Sequence, residues 1–105
     1  MSQYSIYHNN NPISKKNYPF LIDVQSMLLN TLDTRLVIPV IIKKNNESLI
    51  IKNLNPIIKL EKKEYIVLTQ QMAAVKNQAI GSIVCDCLIN RQEILAAIDF
   101  LITGI

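Results

Sequence analysis

The sequence predicts an α+β protein that is mostly β: a small curled antiparallel sheet or barrel of about five strands, followed by one C-terminal helix. Three observations predict it. Short β-branched or alternating apolar runs recur from the start of the chain to about residue 88. Asn-, Lys- and Pro-containing segments separate those runs. Only after Asn90 does the apolar spacing change to a helical period. Strands first and a helix last is an α+β order. At 105 residues the chain is expected to form one domain, residues 1–105, with a core modest enough that a second subunit covering an apolar face would help it.

The elements follow in order. Residues 3–8 read as a short strand, with Tyr4, Ile6 and His8 on one face and Ser5 and Tyr7 on the other. Residues 9–16 hold three Asn and Pro12, which is turn chemistry. Phe20, Ile22 and Val24 alternate with Leu21, Asp23 and Gln25, as in a half-buried strand. Leu28 and Leu29 fall on or near a loop. Residues 35–42 form a β-branched run that reads as a well-buried strand. Pro39 donates no hydrogen bond, so that strand should bend, bulge or lie at an edge there. A hairpin turn is expected at residues 44–47, and short strands at 49–51, 56–60, 65–69, 73–75 and 80–88, with a bulge at Gly81. Asn90 and Glu93 have capping-box spacing. Ile94, Leu95, Ile98, Leu101 and Ile102 then make one helical stripe, and Gly104 ends the run.

Half the residues are apolar and 18% are charged, which excludes an intrinsically disordered chain. The apolar run 36–42 is too short to cross a bilayer, and Met1-Ser2-Gln3-Tyr4 lacks the pattern of a signal peptide. A soluble, cytoplasmic protein without membrane contact is expected. The formal net charge is +3, and its clusters are the pairs Lys15-Lys16, Lys43-Lys44 and Lys62-Lys63, each beside an expected turn. Such pairs read as solvated turns rather than as a nucleic-acid surface.

Little of the sequence suggests catalysis. The sole histidine, His8, has no supporting motif for a hydrolytic triad. Glu61 and Glu64 are the best-placed carboxylate pair, and they share a turn. Gly81 and Gly104 cannot make a phosphate loop. Cys85 and Cys87 form a lone Cys-x-Cys, poorly placed for an unstrained disulfide and too few for zinc, so free thiols, no metal and no cofactor are expected. Arg35 reads as a satisfied residue at a strand start. Binding accounts for the chain better than catalysis does.

The segments Phe20-Leu21-Ile22-Asp23-Val24-Gln25-Ser26, Arg35-Leu36-Val37-Ile38-Pro39, Leu54-Asn55-Pro56-Ile57-Ile58, Met72-Ala73-Ala74-Val75 and the closing Gly104-Ile105 resemble CcdB, the toxin of a type II toxin–antitoxin pair. The similarity runs in register over nearly the whole chain. It implies the CcdB/MazF toxin fold and a homodimer that enters the cavity between the two A subunits of DNA gyrase and traps that topoisomerase on cleaved DNA. It also implies no enzymatic activity of its own. A CcdA-like antitoxin would wrap and release the toxin, and the complex would repress its own operon, touching DNA mainly through the antitoxin.

The family's gyrase-binding positions fall at Leu28, Leu29, Asp99, Ile102, Thr103, Gly104 and Ile105. Gly104 and Ile105 match the pattern, and Leu28 and Leu29 are conservative changes. Thr103 stands where the familiar toxins carry Trp, and Asp99 where they carry Asn. Threonine cannot supply a cation–π stack of about 0.5–2 kcal/mol per site. Three readings follow: a gyrase poison with altered contacts, a divergent homologue that keeps dimerisation and antitoxin binding but not the target, and a ribonuclease toxin of the MazF type. The last lacks the Gly- and Pro-rich Arg-Pro start such chains carry.

Overall fold

Residues 2–104 are described in the computed structural model. Seven strands precede a single α-helix: β1 (Ser5–Asn9), β2 (Phe20–Asp23), β3 (Thr34–Ile42), β4 (Ile57–Leu60), β5 (Lys63–Val67), β6 (Ala73–Lys76), β7 (Ile80–Asp86) and α1 (Arg91–Thr103). All pairings are antiparallel, in the order β4-β5-β3-β2-β1-β7, with β6 also pairing β3. The expected curled antiparallel sheet with a terminal helix is what forms, with seven short strands in place of about five.

The longest strand, β3, organises the sheet. One side pairs with β2 from Val37 to Val40. The other pairs first with β6, Thr34 to Val37, and then with β5, Val40 to Ile42. Pro39 sits between those two partners. Its carbonyl accepts from Leu68 N at 3.0 Å, and its missing donor faces the same gap, so no ladder bond is lost. The proline therefore lies in a central strand, where the change of partner makes room for it.

Side chains alternate across the sheet. Ile6, Ile22, Val24, Ile38, Val40, Ile58 and Val67 join Tyr4, Cys87 and Ile94 in the main core, under α1. The opposite face is also covered. Tyr7, Leu21, Val37 and Ile80 cluster there, and Ile41, Ile66 and Leu68 form a third group. β2 is thus buried on both faces, Asp23 included, not half-buried as its alternation suggested.

Local departures have physical causes. The expected strand at 49–51 is replaced by a single 3-10 turn, Glu47–Leu49. Asn55 Oδ1 accepts from Ile51 N at 2.8 Å, so that backbone is satisfied without a ladder. At the 44–47 turn, Asn45 adopts φ 69° and Asn46 Nδ2 donates to Ile42 O, but no strand pairs back, so this is not a hairpin. The β4–β5 loop is a true hairpin of two residues, Glu61 and Lys62, with Glu61 at φ 54°. The β1–β7 register shifts twice, between Ile6 and Tyr7 and between Tyr7 and Asn9, and the second shift puts an irregularity in the Gly81–Ser82 stretch, at the expected bulge. A Cβ at Gly81 would lie 2.7 Å from Asn10 Oδ1 and 3.0 Å from the His8 carbonyl, so glycine lets the strands close there.

The helix begins from the 3-10 turn Leu88–Asn90, and Asn90 makes no side-chain cap bond, so the expected capping box does not form. Its apolar stripe divides. Ile94 and Ala97 are buried and Ile98 half-buried, while Leu95, Leu101 and Ile102 face outward. Burying a side chain such as Ile94 stabilises the helix by about 1.5–3 kcal/mol.

Candidate functional site

Two exposed surfaces carry the residues singled out from the sequence. The first is the 3-10 turn Met27–Leu29, between β2 and β3. Leu28 is 92% exposed and Leu29 about half exposed, although both are apolar. Ser26 begins the turn, and its hydroxyl accepts from Leu28 N at 3.2 Å.

A buried ionic network holds this turn. Arg35 is 2% exposed and Asp23 fully buried, and their side chains pair through Nε and Nη2 to Oδ2. Arg35 Nη1 also donates to Asn30 Oδ1. Asp23 Oδ1 accepts from Gln25 N at 3.0 Å. The Gln25 side chain donates to Leu29 O and accepts from Leu36 N, each at 3.0 Å. Asp23, Gln25, Asn30 and Arg35 thus position Leu28 and Leu29 from beneath. Sequence reasoning read Asp23 as the polar face of a strand and missed this role. A signal was present: one acid and one base, each inside an apolar strand, are costly to bury apart.

The second surface is the end of α1. Ile102 is 71% exposed, and Asp99, Thr103 and Gly104 are exposed with it. Gly104 takes φ 73° and donates its N–H to Phe100 O at 2.9 Å, closing the helix in the left-handed conformation that glycine tolerates best. Thr103 Oγ1 donates to Asp99 O at 2.7 Å, so this hydroxyl turns back onto its own helix. Ile105 lies outside the described residues. Helix α1 packs Ile94 into the main core and abuts the 3-10 turns Thr69–Gln71 and Leu88–Asn90, while Leu28 and Leu29 are held by the network under β2 and β3. The two surfaces lie on different elements, the turn Met27–Leu29 and the end of α1.

Beside the helix, Asn53, Asn55, Pro56 and Ile57 face Glu93, Ala96 and Phe100 across an open cleft of about 570 Å³. Asn55 is structural: its Nδ2 donates to Val67 O at 3.0 Å and to Gln70 Oε1 at 2.7 Å.

The reactive groups sit apart from both surfaces. His8 is exposed and packs its ring against Phe20 at 5.4 Å. Cys85 and Cys87 are free, and Cys87 Sγ donates to Tyr4 O at 2.8 Å. Burial, then Cys85 and Asp86, pushes the Cys87 thiol up to about 12. Burial, then Asp86, raises Cys85 as well. Both hold their protons at neutral pH, so neither is an activated nucleophile. Among the described residues, no group of three His, Cys, Asp or Glu could hold a metal ion. No helix among them is long and apolar enough to cross a membrane.

A curled antiparallel sheet closed by one helix, with apolar side chains displayed on a turn and on the helix end, defines a small, mostly β fold. The chain belongs to the CcdB protein family, whose model matches residues 3–104. That match covers every strand, the helix and all the candidate residues except Ile105.

Proposed function

We propose that this 105-residue chain, acting as one domain and paired with a second copy, binds the A subunit of DNA gyrase and holds the enzyme on cleaved DNA. A CcdA-like antitoxin neutralises it, and the pair represses its own operon mainly through the antitoxin's DNA contacts. The observation that carries this reading is the exposed helix end on a chain of this family: Ile102 and Thr103 in the last turn and Gly104 at the cap are exposed on a helix anchored by Ile94 and Ala97. An anchored base and an exposed apolar tip suit a surface that docks on a partner. Leu28 and Leu29 supply a second apolar contact, held by the Asp23–Arg35 network.

The altered residues set the strength of the interaction. Thr103 offers no ring to stack on an arginine, and Asp99 adds a negative charge four residues earlier. Thr103→Trp is expected to tighten gyrase binding by several-fold to tens-fold, since a stack contributes about 0.5–2 kcal/mol at each site. Calorimetric titration against the gyrase A subunit measures it, and unchanged affinity counts against the anchor argument.

The functional test is induction in a sensitive bacterial host. Growth arrest relieved by substitutions in gyrase A supports the proposal. Arrest with transcript cleavage points instead to ribonuclease action. No arrest, together with tight antitoxin binding, means that the target contact has been lost.

A further inference from the structure

We propose that the sheet end where the three lysine pairs converge is a docking surface for single-stranded nucleic acid, with phosphates on the lysines and a base in the adjoining aromatic cleft. The proposal is independent of gyrase binding. It also goes beyond DNA contact made only through an antitoxin.

Topology creates the surface. Lys15-Lys16 precede the start of β2, Lys43-Lys44 follow the end of β3, and Lys62-Lys63 lie at the β4–β5 turn. Because β2, β3 and β5 are antiparallel neighbours, those three points fall at one end of the sheet: Phe20 pairs with Val40, and Ile42 with Tyr65. Lys43, Lys44, Lys62 and Lys63 line one open cleft of about 530 Å³ with Glu47 and Glu64. Lys16 lines a second, of about 630 Å³, with Asn17, Tyr18, Phe20, Asn46 and Tyr65. Ile42 borders both clefts, so they adjoin.

Charge is concentrated there. Six lysines against Glu47, Glu61 and Glu64 leave three positive charges, the whole formal net charge of the chain; the remaining charged side chains cancel. Glu64 Oε1 answers Lys43 Nζ at 3.3 Å on an exposed surface, where such a pair is weak. Strands lie about 4.8 Å apart, so the row from β2 to β4 spans roughly 14 Å.

The second cleft separates nucleic acid from an acidic peptide as the occupant. Phe20 and Tyr65 meet edge to face at 5.5 Å, with Tyr18 and two asparagines beside them. Phe20 and Tyr65 pack one side against the main core and leave part of their rings open to the cleft beside Lys16, where a base rather than a carboxylate would rest.

The test is fluorescence anisotropy with a labelled oligo(dT) of about 12 nucleotides, added to the full chain at about 50 mM salt. Binding should weaken with salt. Replacing Lys16, Lys44, Lys62 and Lys63 together by Gln should lower affinity at least about tenfold and flatten the log–log salt slope by about 3. All four side chains are exposed, and circular dichroism verifies the fold of the variant. Lys52→Gln with Lys76→Gln, also exposed but elsewhere, should change nothing. An abasic strand of equal length should bind at least about fivefold more weakly. Failure to bind oligo(dT), equal loss in the two lysine variants, or tighter binding of polyglutamate would overturn the proposal. Equal affinity for the abasic strand would remove the base from the cleft and sink that half of it.

Discussion

At the residue scale, the Asp23–Arg35 pair is the most consequential feature, because two charges are buried together within the sheet. Arg35→Met alone strands Asp23 and should cost about 3–5 kcal/mol in urea unfolding. Adding Asp23→Leu should recover much of that, since a buried pair replaced by apolar groups is often close to neutral. The double variant should still expose residues 26–32 to faster amide exchange, because Gln25 N and Asn30 have lost their partners. Cys87 gives a pH dependence with a definite sign. Its folded pKa lies near 12 against an ordinary 9.0, so its contribution is full below about pH 9 and is lost as pH rises toward 12. Cys87→Ala should flatten the stability profile over that window, as followed by denaturant midpoints. In the native state Cys87 should also react with an alkylating reagent more slowly than half-buried Cys85.

At the scale of the element, α1 is an anchored helix whose outer half lies open. Ile94 and Ala97 fix its first turns, and Gly104 closes its last. Gly104→Ala has open space for its Cβ but must hold φ near +73°, which costs about 1–2 kcal/mol for a residue with a side chain. The expected result is a frayed tip, seen as faster exchange at the last amides of α1, with little change in global unfolding. If the helix end is the docking prong, gyrase affinity should fall in parallel. β3 shows the opposite arrangement: Pro39 sits mid-strand at little cost because β5 and β6 leave a gap opposite it.

At the scale of the whole molecule, a good deal of apolar surface is left open. Ile89 is 93% exposed, and Leu88, Leu95, Leu101 and Ile102 are exposed along the same terminal segment. A second copy covering such surface would add to a modest core. Sedimentation is expected to give twice the 11.9 kDa chain mass, and a monomer at micromolar concentration would contradict the proposed dimer. The charge distribution is likewise a property of the fold. Each lysine pair looks like an isolated turn until β2, β3 and β5 align their ends.

Much of the architecture was legible locally. Alternation and β-branching located β2, β3, β5 and β7, helical spacing located α1, and Gly81 and Gly104 marked the bulge and the cap, because each depends on near-neighbour sterics. The motif residues likewise carried the family, and with it Leu28, Leu29 and the helix end as candidates. Burial was not legible. Asp23 resembles a solvated strand residue until Arg35, twelve positions later, is brought against it. The helix stripe looked uniform, yet only part of it meets the sheet. Contacts between distant segments decided those points, because burial and charge pairing depend on what lies across space, which the order of residues alone does not encode locally.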